Sequence, residues 1–406
     1  MKRKKNTWVL ARHKIIRAFL YPLVVPFVKR KYNVKIEKVK KGDHRQYLIL
    51  SNHQTAFDQF FVGAAFRDPL YFVATEDIFS LGFLSKLIKF CFAPIPIKKQ
   101  VSDVGAVLSC KRVVKEGGSI AMFPEGNRTY SGQTEYINPA IAGLAKLLKL
   151  PIAFFKIEGG YGVHPRWADD VRKGTKMRAY VSKVVEVEEY AHLENDELNE
   201  LIRKELYVDD TAVLGEYKHK RLAENLERAI YVCPHCGLSE FESKFDTILC
   251  KKCNLTARYL PNKTLQAVQG ALPFTYVKDW YRYQEDFINR LDLSAFGDEK
   301  MFSDEGATLF DVLLYKKKEK VSDAANISAY NDKIVIAHTG ETLSFPYDKI
   351  TALSVLGKNK LNIYCEGKVY QIKGKNGFNA VKYVNTYYHY VSLQEVGGKK
   401  NGFLGL

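Results

Sequence analysis

Between residues 47 and 187 short apolar runs alternate with amphipathic stretches. The predicted strands cover residues 47–50, 71–75, 119–123, 151–157 and 176–187. The predicted helices run from Ser51-Asn52 to about Phe66, from Ser102 to Gly117-Gly118, and from Pro139 to about Lys149. Strands that are apolar on both faces and alternate with helices are typical of a largely parallel sheet covered by helices. This part of the chain therefore predicts an α/β sandwich.

The carboxyl-terminal half has a different pattern. Residues 195–220 form a charged helical stretch, and an amphipathic helix is predicted from Trp280 to Leu291. From about residue 307 the chain consists of short segments with alternating apolar and polar positions, followed by one helix at about residues 377–392. Short strands closed by a single helix resemble a pleckstrin-homology-like fold, and this resemblance rests on the pattern alone.

An unbroken apolar run of eleven residues, Ala18 to Val28, lies between clusters of basic residues near the amino terminus. As a helix it would span about 17 Å, which is well short of a bilayer's hydrocarbon core. Pro22 and Pro26 disfavour a helix here. An apolar wedge with basic flanks is typical of a segment that lies in the lipid headgroup region. The alternative is an amino-terminal helix buried in the core with a solvated basic rim.

The net charge of +17 is concentrated at the same end of the chain. Residues 1–45 contain fifteen Lys and Arg against Glu37 and Asp43. A basic segment can bind nucleic acid or an anionic membrane surface, and the apolar run inside it favours the membrane. The run is not interpreted as the core of a signal peptide, because Arg17 lies directly before it and no small-residue cleavage site follows it. We therefore expect a protein at the cytoplasmic face of a membrane, monotopic or peripheral.

A histidine and an aspartate with four residues between them, His53 and Asp58, follow the first predicted strand. The spacing alone is weak, since His164 and Asp169 share it. Five residues along a helix turn a side chain through about 140°, so such a pair meets only when the histidine lies at or before the helix start. His53 is predicted there, whereas His164 precedes a proline in a glycine-rich loop. A carboxylate that holds one ring nitrogen of a histidine prepares the other to act as a general base.

A second stretch, Phe123-Pro124-Glu125-Gly126, ends the predicted strand at 119–123 and is followed by Arg128. Proline and glycine favour a sharp turn, and arginine can bind a phosphate with two hydrogen bonds. The alternative is an ordinary surface turn, and the His53 motif earlier in the chain favours the functional interpretation.

Together these motifs resemble those of the glycerolphosphate and lysophosphatidic acid acyltransferase family. The resemblance covers about residues 15–190. It implies that His53 is the general base and Asp58 its charge-relay partner. Binding of the acceptor and its phosphate is implied for Glu125, Gly126, Arg128, Lys98 and Lys99.

Two further blocks correspond less closely. Ile95-Pro96-Ile97-Lys98-Lys99 corresponds to a block in which the family usually has Ile-Pro-Val-Asp-Arg, so two lysines replace an aspartate and an arginine. Pro151-Ile152 corresponds to the family's last block. The resemblance implies acyl transfer from acyl-CoA or acyl carrier protein to a lysophospholipid hydroxyl, 1-acylglycerol 3-phosphate giving phosphatidic acid, without a catalytic metal. A catalytically silent lipid-binding or regulatory protein on the same scaffold is the alternative.

Four of the seven cysteines form two pairs, Cys233 with Cys236 and Cys250 with Cys253. Two Cys-x2-Cys knuckles complete a tetrahedral zinc site, and four thiolates leave no position for catalysis. We therefore predict a structural zinc ribbon, with four free thiols or a redox pair as the alternative. A nucleic-acid-binding protein would need basic and aromatic residues interleaved near the ribbon, so no nucleic acid is expected as a partner. Cys91 and Cys110 are predicted to be small core residues.

The predicted fold class is therefore α/β, an αβα acyltransferase sandwich followed by a small zinc ribbon and a carboxyl-terminal β-rich, pleckstrin-homology-like domain. The expected segments are a basic membrane-associating segment at 1–45, an acyltransferase domain at 46–220, a zinc ribbon at 228–260, a helical linker at 261–300 and the β-rich domain at 301–395.

Overall fold

A computed structural model describes residues 7–40, 43–97, 103–314, 316–375 and 377–394. These residues divide into two compact units, the first comprising 7–164 and 171–213 and the second 165–170 and 214–394. The helices are α1 Ala11–Tyr32, α2 Asp58–Ala65, α3 Phe83–Phe92, α4 Val104–Lys115, α5 Ala140–Leu148, α6 Gly160–Val163, α7 Val187–Tyr190, α8 Asn195–Leu206, α9 Val277–Asn289 and α10 Ala380–Gln394. Within the described ranges, none of them combines the length and apolar character needed to cross a bilayer.

The strands alternate with these helices in the first unit and follow one another in the second. In the first unit they are β1 Val34–Ile36, β2 Leu48–Ser51, β3 Leu70–Thr75, β4 Ile95–Ile97, β5 Ser119–Met122, β6 Ile152–Glu158, β7 Lys173–Gly174 and β8 Met177–Val185. In the second they are β9 Tyr217–Lys218, β10 Val232–Cys233, β11 Gly237–Leu238, β12 Phe241–Lys244, β13 Thr247–Cys250, β14 Thr256–Tyr259, β15 Leu265–Gln269, β16 Phe302–Leu313, β17 Lys317–Ala329, β18 Lys333–His338, β19 Glu341–Pro346, β20 Ile350–Leu356, β21 Lys360–Cys365 and β22 Lys368–Lys373.

The first unit is built on a seven-stranded sheet in the order β1-β8-β6-β2-β5-β3-β4. All its pairs are parallel except β6 with β8, which is antiparallel. Every residue of β2 and of β5 is buried, as expected for central strands that are covered on both faces. The predicted parallel-rich α/β layer is confirmed, and it brings the carboxyl ends of β2 and β5 side by side.

Two helix predictions for this part of the chain were wrong in their limits. The helix predicted after Ser51-Asn52 begins at Asp58, because the side chain of Asn52 binds both the N–H and the carbonyl of Ile157 and is not a helix cap. The charged helix predicted to reach residue 220 ends at Leu206.

The amino-terminal apolar run, where the two prolines were expected to disfavour a helix, lies in the middle of the 22-residue helix α1. Both prolines are tolerated because Pro22 and Pro26 lie four residues apart on an exposed side, where the carbonyls that lose a helical partner can face water. The opposite side of α1 buries His13, Val28 and Tyr32. The helix is therefore packed along one side only.

The second unit contains two antiparallel sheets of more than two strands. One has the order β12-β13-β14-β15 and extends past residue 260, where a helical linker was expected. The other has seven strands in the order β19-β18-β17-β16-β22-β21-β20, and α10 packs against β20. The predicted β-rich carboxyl-terminal region is confirmed. Its first two strands are longer than the apolar pattern indicated, because charged residues continue both strands beyond the core.

Candidate active site and cysteine cluster

His53 and Asp58 meet in the loop between β2 and α2. His53 Nδ1 lies 2.8 Å from Asp58 Oδ2, and Asp58 is fully buried at the first residue of α2. The same Oδ2 accepts the backbone N–H groups of Gln54 at 2.6 Å and Thr55 at 2.8 Å, while Oδ1 accepts the Thr55 hydroxyl at 2.6 Å. The carboxylate is thus held by the loop that carries the histidine. Because a carboxylate only accepts, it fixes the proton on Nδ1 and makes Nε2 the basic ring nitrogen.

The turn after β5 lies directly against this loop. Glu125 Oε1 accepts the backbone N–H of His53 at 2.7 Å, and Oε2 accepts that of Glu135 at 2.8 Å. The ring of Phe123 stacks on the ring of His53 with centroids 4.2 Å apart, and Thr129 donates its N–H to the His53 carbonyl at 3.2 Å. Two segments about 70 residues apart in sequence therefore form one site, because β2 and β5 are parallel neighbours.

Glu125 is held by main-chain groups of the histidine loop and of the segment at Glu135. Its side chain is buried, and each carboxylate oxygen already binds a main-chain N–H group. Burial raises the pKa of Glu125 well above its ordinary value, although those two N–H groups act in the opposite direction. Glu125 therefore contacts the histidine loop, and the acceptor contact that the resemblance implies for it stays a prediction.

Gly126 and Arg128 complete the turn. Gly126 has a φ of 70° and donates its N–H to the Phe123 carbonyl at 2.9 Å, which closes a tight turn that suits glycine. Arg128 is partly buried. Arg128 and Asp58 both act on the hydroxyl of Tyr32, whose pKa is raised mainly by burial, further raised by Asp58 and lowered by Arg128. Lys98 and Lys99 lie outside the described residues.

Sequence reasoning missed Tyr32, which comes from the end of α1. Its ring packs against Phe57 and Phe61 with centroids 5.4 and 5.7 Å away, and its hydroxyl lies 3.3 Å from His164 Nδ1. The only sequence signal was an aromatic residue directly after the basic cluster that follows the amino-terminal apolar run. His164 is thus a buried partner of Tyr32, while Asp169 forms an ion pair with Arg228 at 2.8 Å, so the second His-x4-Asp match is coincidental.

The four paired cysteines converge in the second unit. Their Sγ atoms all lie within 4.8 Å of one another, with Cys233 and Cys253 3.5 Å apart and Cys236 and Cys250 3.6 Å apart. Four sulfurs around one zinc ion at 2.3 Å would lie about 3.8 Å apart, so the cluster has the size of a tetrahedral site. The N–H of His235 points at Cys233 Sγ from 3.5 Å, as in a metal knuckle. The residues therefore fit a metal ion.

His235 does not join the four thiols. Its Nε2 lies 2.6 Å from the Ala271 carbonyl. Of the other cysteines, Cys110 is buried in the first unit, and burial raises the pKa of its thiol to about 12. Cys110 is therefore a core residue and a poor nucleophile at neutral pH.

One family model matches the part of the chain that contains the histidine site. Residues 31–156 match the Acyltransferase family model. That range contains His53, Asp58, Glu125, Gly126 and Arg128. No curated protein matches the chain by sequence. Among solved structures, the 1-acyl-sn-glycerophosphate (LPA) acyltransferase PlsC from Thermotoga maritima is 17% identical, with a TM-score of 0.37, over 48% of this chain and 83% of that one.

Proposed function

We propose that this chain, an acyltransferase by its domain match, transfers a fatty acyl group from acyl-CoA or acyl carrier protein to a lysophospholipid hydroxyl. The proposed acceptor is 1-acylglycerol 3-phosphate and the product phosphatidic acid. The observation that carries the proposal is the 2.8 Å contact between His53 Nδ1 and the buried Asp58, beside a turn that bears Arg128.

In this proposal His53 Nε2 takes the proton of the acceptor hydroxyl. The oxygen attacks the thioester carbonyl, the carbon–sulfur bond breaks, and the thiolate leaves with the proton returned by the imidazolium. Asp58 stabilises the imidazolium and keeps the ring in one orientation. General-base assistance of this kind accelerates a reaction by about 100- to 10,000-fold.

Arg128 is the proposed binding group for the acceptor's phosphate, with Gly126 allowing close approach and Lys98 and Lys99 adding positive charge. A guanidinium is suited to two simultaneous hydrogen bonds with a phosphate. Glu125 is proposed as a positioning residue, since its carboxylate binds the backbone at His53 and Glu135.

A membrane surface is the proposed partner of the first unit. Along α1, Ile15, Phe19, Leu23 and Phe27 recur every four residues and are 57–75% exposed, and we name them the apolar stripe. The neighbouring helix α3 exposes four more large apolar side chains, Phe83, Leu84, Leu87 and Phe90. Arg12 joins the two helices, since its Nε donates to the Phe90 carbonyl at 3.2 Å. An exposed apolar surface with a basic rim suits the headgroup region of a bilayer, here at its cytoplasmic face.

The second unit is proposed to contain a structural zinc ribbon and a pleckstrin-homology-like domain. Four thiolates would close the coordination sphere of a zinc ion, which supplies cross-linking and no chemistry to the reaction. The strand order of the seven-stranded sheet and its closing helix support the second assignment. In α10, Tyr387 and Tyr388 donate to the carbonyls of Ile350 and Leu353, so the tyrosines of that helix serve packing.

The test is an acyltransferase assay of the full chain. Labelled acyl-CoA and acyl-acyl carrier protein are each offered with glycerol 3-phosphate, 1-acylglycerol 3-phosphate and lysophosphatidylcholine. The proposal predicts labelled phosphatidic acid as the main product. Product formed only with lysophosphatidylcholine would refute 1-acylglycerol 3-phosphate as the acceptor. No product from any combination would favour a catalytically silent protein on the same scaffold.

A further inference from the structure

A cationic pocket lies at the carboxyl end of α1. It has a volume of about 530 Å3, and its walls are Phe27, Arg30, Lys31 and Asn33 on one side and residues 172–174 on the other. Four of these residues are cations and none is acidic. The two walls are tied together, since Asn33 donates from Nδ2 to the Gly174 carbonyl at 2.9 Å. The pocket is therefore a fixed concave surface of one charge sign.

Its cations differ in how they are held. Arg172 is only 2% exposed, so its charge is fixed in the wall. Arg30, Lys31 and Lys173 are exposed, and none of the three forms an ion pair with any residue in the described ranges. The ammonium group of Lys31 lies 5.4 Å from the ring centroid of Phe57. Charges gathered in this way favour binding of an anion.

The dipole of α1 explains only part of this clustering. Cations in the last turn of a helix compensate a charge of about half a unit at its carboxyl end. That is far less than four positive charges, and Arg172 and Lys173 come from another part of the chain about 140 residues away. The excess of charge requires a different explanation.

The position of the pocket indicates what fills it. Phe27 belongs both to the pocket and to the apolar stripe, and Arg30 and Lys31 follow it by one helical turn, about 5 Å. If the stripe is buried among acyl chains, the pocket lies at the level of the lipid phosphates. We propose that the cationic pocket binds the phosphate of an anionic membrane lipid, at a site separate from His53. This inference rests on the proposed function only in taking the stripe as the membrane-facing surface.

The test is binding of the full chain to vesicles. One set is phosphatidylcholine alone, a second adds phosphatidic acid, and a third adds cholesteryl hemisuccinate to the same surface charge, so that charge without phosphate is measured. The variant Arg30→Gln/Lys31→Gln/Lys173→Gln removes the three exposed cations. We expect its partition coefficient on phosphatidic acid vesicles to fall about 100-fold, with binding to phosphatidylcholine unchanged because the stripe is intact.

A matched control removes the same charge elsewhere in the first unit. Lys115→Gln/Lys149→Gln/Lys204→Gln replaces three exposed lysines outside the pocket and should bind all vesicles like the wild type. An equal loss in both variants would overturn the proposal, because the attraction would then be diffuse. Equal wild-type binding to the phosphatidic acid and hemisuccinate vesicles would overturn it too. Should the triple variant melt at a lower temperature, Lys173→Glu alone is used and should still weaken binding to phosphatidic acid vesicles.

A soluble ligand is the other source of phosphate, and titration with coenzyme A distinguishes it. The proposal predicts that the pocket variant binds coenzyme A like the wild type. Loss of coenzyme A binding with intact vesicle binding would assign the pocket to the acyl donor and overturn the proposal. Because these readouts need no turnover, an absence of acyltransferase activity would refute the proposed function and leave this test interpretable.

Discussion

The histidine loop of the first unit and the cysteine cluster of the second are assembled in different ways. In the loop, Asp58 accepts hydrogen bonds from His53, from the Gln54 and Thr55 backbone and from the Thr55 hydroxyl, and Glu125 ties the loop to the neighbouring strand. Each acceptor faces a donor. In the cluster, four sulfurs lie between 3.5 and 4.8 Å from one another, so that the donors of a hydrogen-bonded site are replaced by four groups of one kind. Ionised thiolates at such distances repel.

This difference separates a site that the chain assembles by itself from one that depends on a ligand. In the histidine site, the carboxylates of Asp58 and Glu125 are bound by donors of the protein itself, so its geometry should persist without substrate. In the proposed zinc ribbon, the four thiolates would be stabilised only by a cation that joins them, so metal binding and folding of that region should be coupled. Removal of metal and substitutions in the histidine site test this contrast.

Removal of metal should unfold the ribbon region and leave the first unit folded. Structural zinc contributes on the order of 10 kcal/mol to folding of small zinc domains. We expect one zinc ion per chain by elemental analysis, and loss of hydrogen-exchange protection across residues 232–269 after treatment with a strong chelator. Cys233→Ser should reproduce this loss, while Cys91→Ser, outside the cluster, should not. If residues 232–269 kept their hydrogen-exchange protection in metal-free protein, the cysteine cluster would not depend on a metal ion, and the contrast with the histidine site would be refuted.

The histidine site should show the reverse behaviour, a loss of chemistry without a loss of structure. We expect His53→Ala to lower kcat by about 100- to 10,000-fold with an unchanged melting temperature, because the ring is near the surface and its removal leaves Asp58 with its other donors. His192→Ala, at an exposed position of the same unit, is the control and should keep full activity. Full activity of His53→Ala would refute the assignment of the base.

Much of the first unit followed from local pattern, because apolar strands alternating with helices have few alternative arrangements. It was predictable in the same way that His53 and Phe123 both follow buried parallel strands and so lie at the same edge of the sheet. The backbone contacts of Glu125 were not predictable, because they depend on β2 and β5 being neighbours, and strand order is not encoded locally.

The continuity of α1 and the cationic pocket also could not be predicted from local sequence patterns. Pro22 and Pro26 disfavour a helix as isolated signals, yet α1 continues through them because Val28 and Tyr32 are buried on the opposite side. The cationic pocket combines α1 with Arg172, and no sequence pattern connects positions so far apart.

The smallest predicted effect is that of Glu125→Gln, and it tests whether the histidine loop is held by the turn after β5. A glutamine offers one acceptor and one donor group, so either the His53 or the Glu135 N–H would face a donor. A lost hydrogen bond of this kind costs about 1–3 kcal/mol, and we expect kcat to fall about 10-fold with little change in the acceptor's KM. Arg128→Gln is the matched comparison and should mainly raise that KM. A raised KM with normal kcat in Glu125→Gln would instead make Glu125 a substrate-binding residue.

The pH dependence of stability gives Glu125→Gln a second readout that does not involve substrate. Because burial raises the pKa of Glu125 well above 4.5, the folded protein retains a proton that the unfolded chain has lost. The stability associated with this group is therefore complete below pH 4.5 and declines as pH rises toward the folded-state pKa. Glutamine cannot titrate, so the stability difference between wild type and variant should shrink as pH rises above 4.5. A stability difference that stayed constant as pH rises would mean that Glu125 is ionised in the folded protein. It would then accept the two main-chain N–H groups as a charged carboxylate.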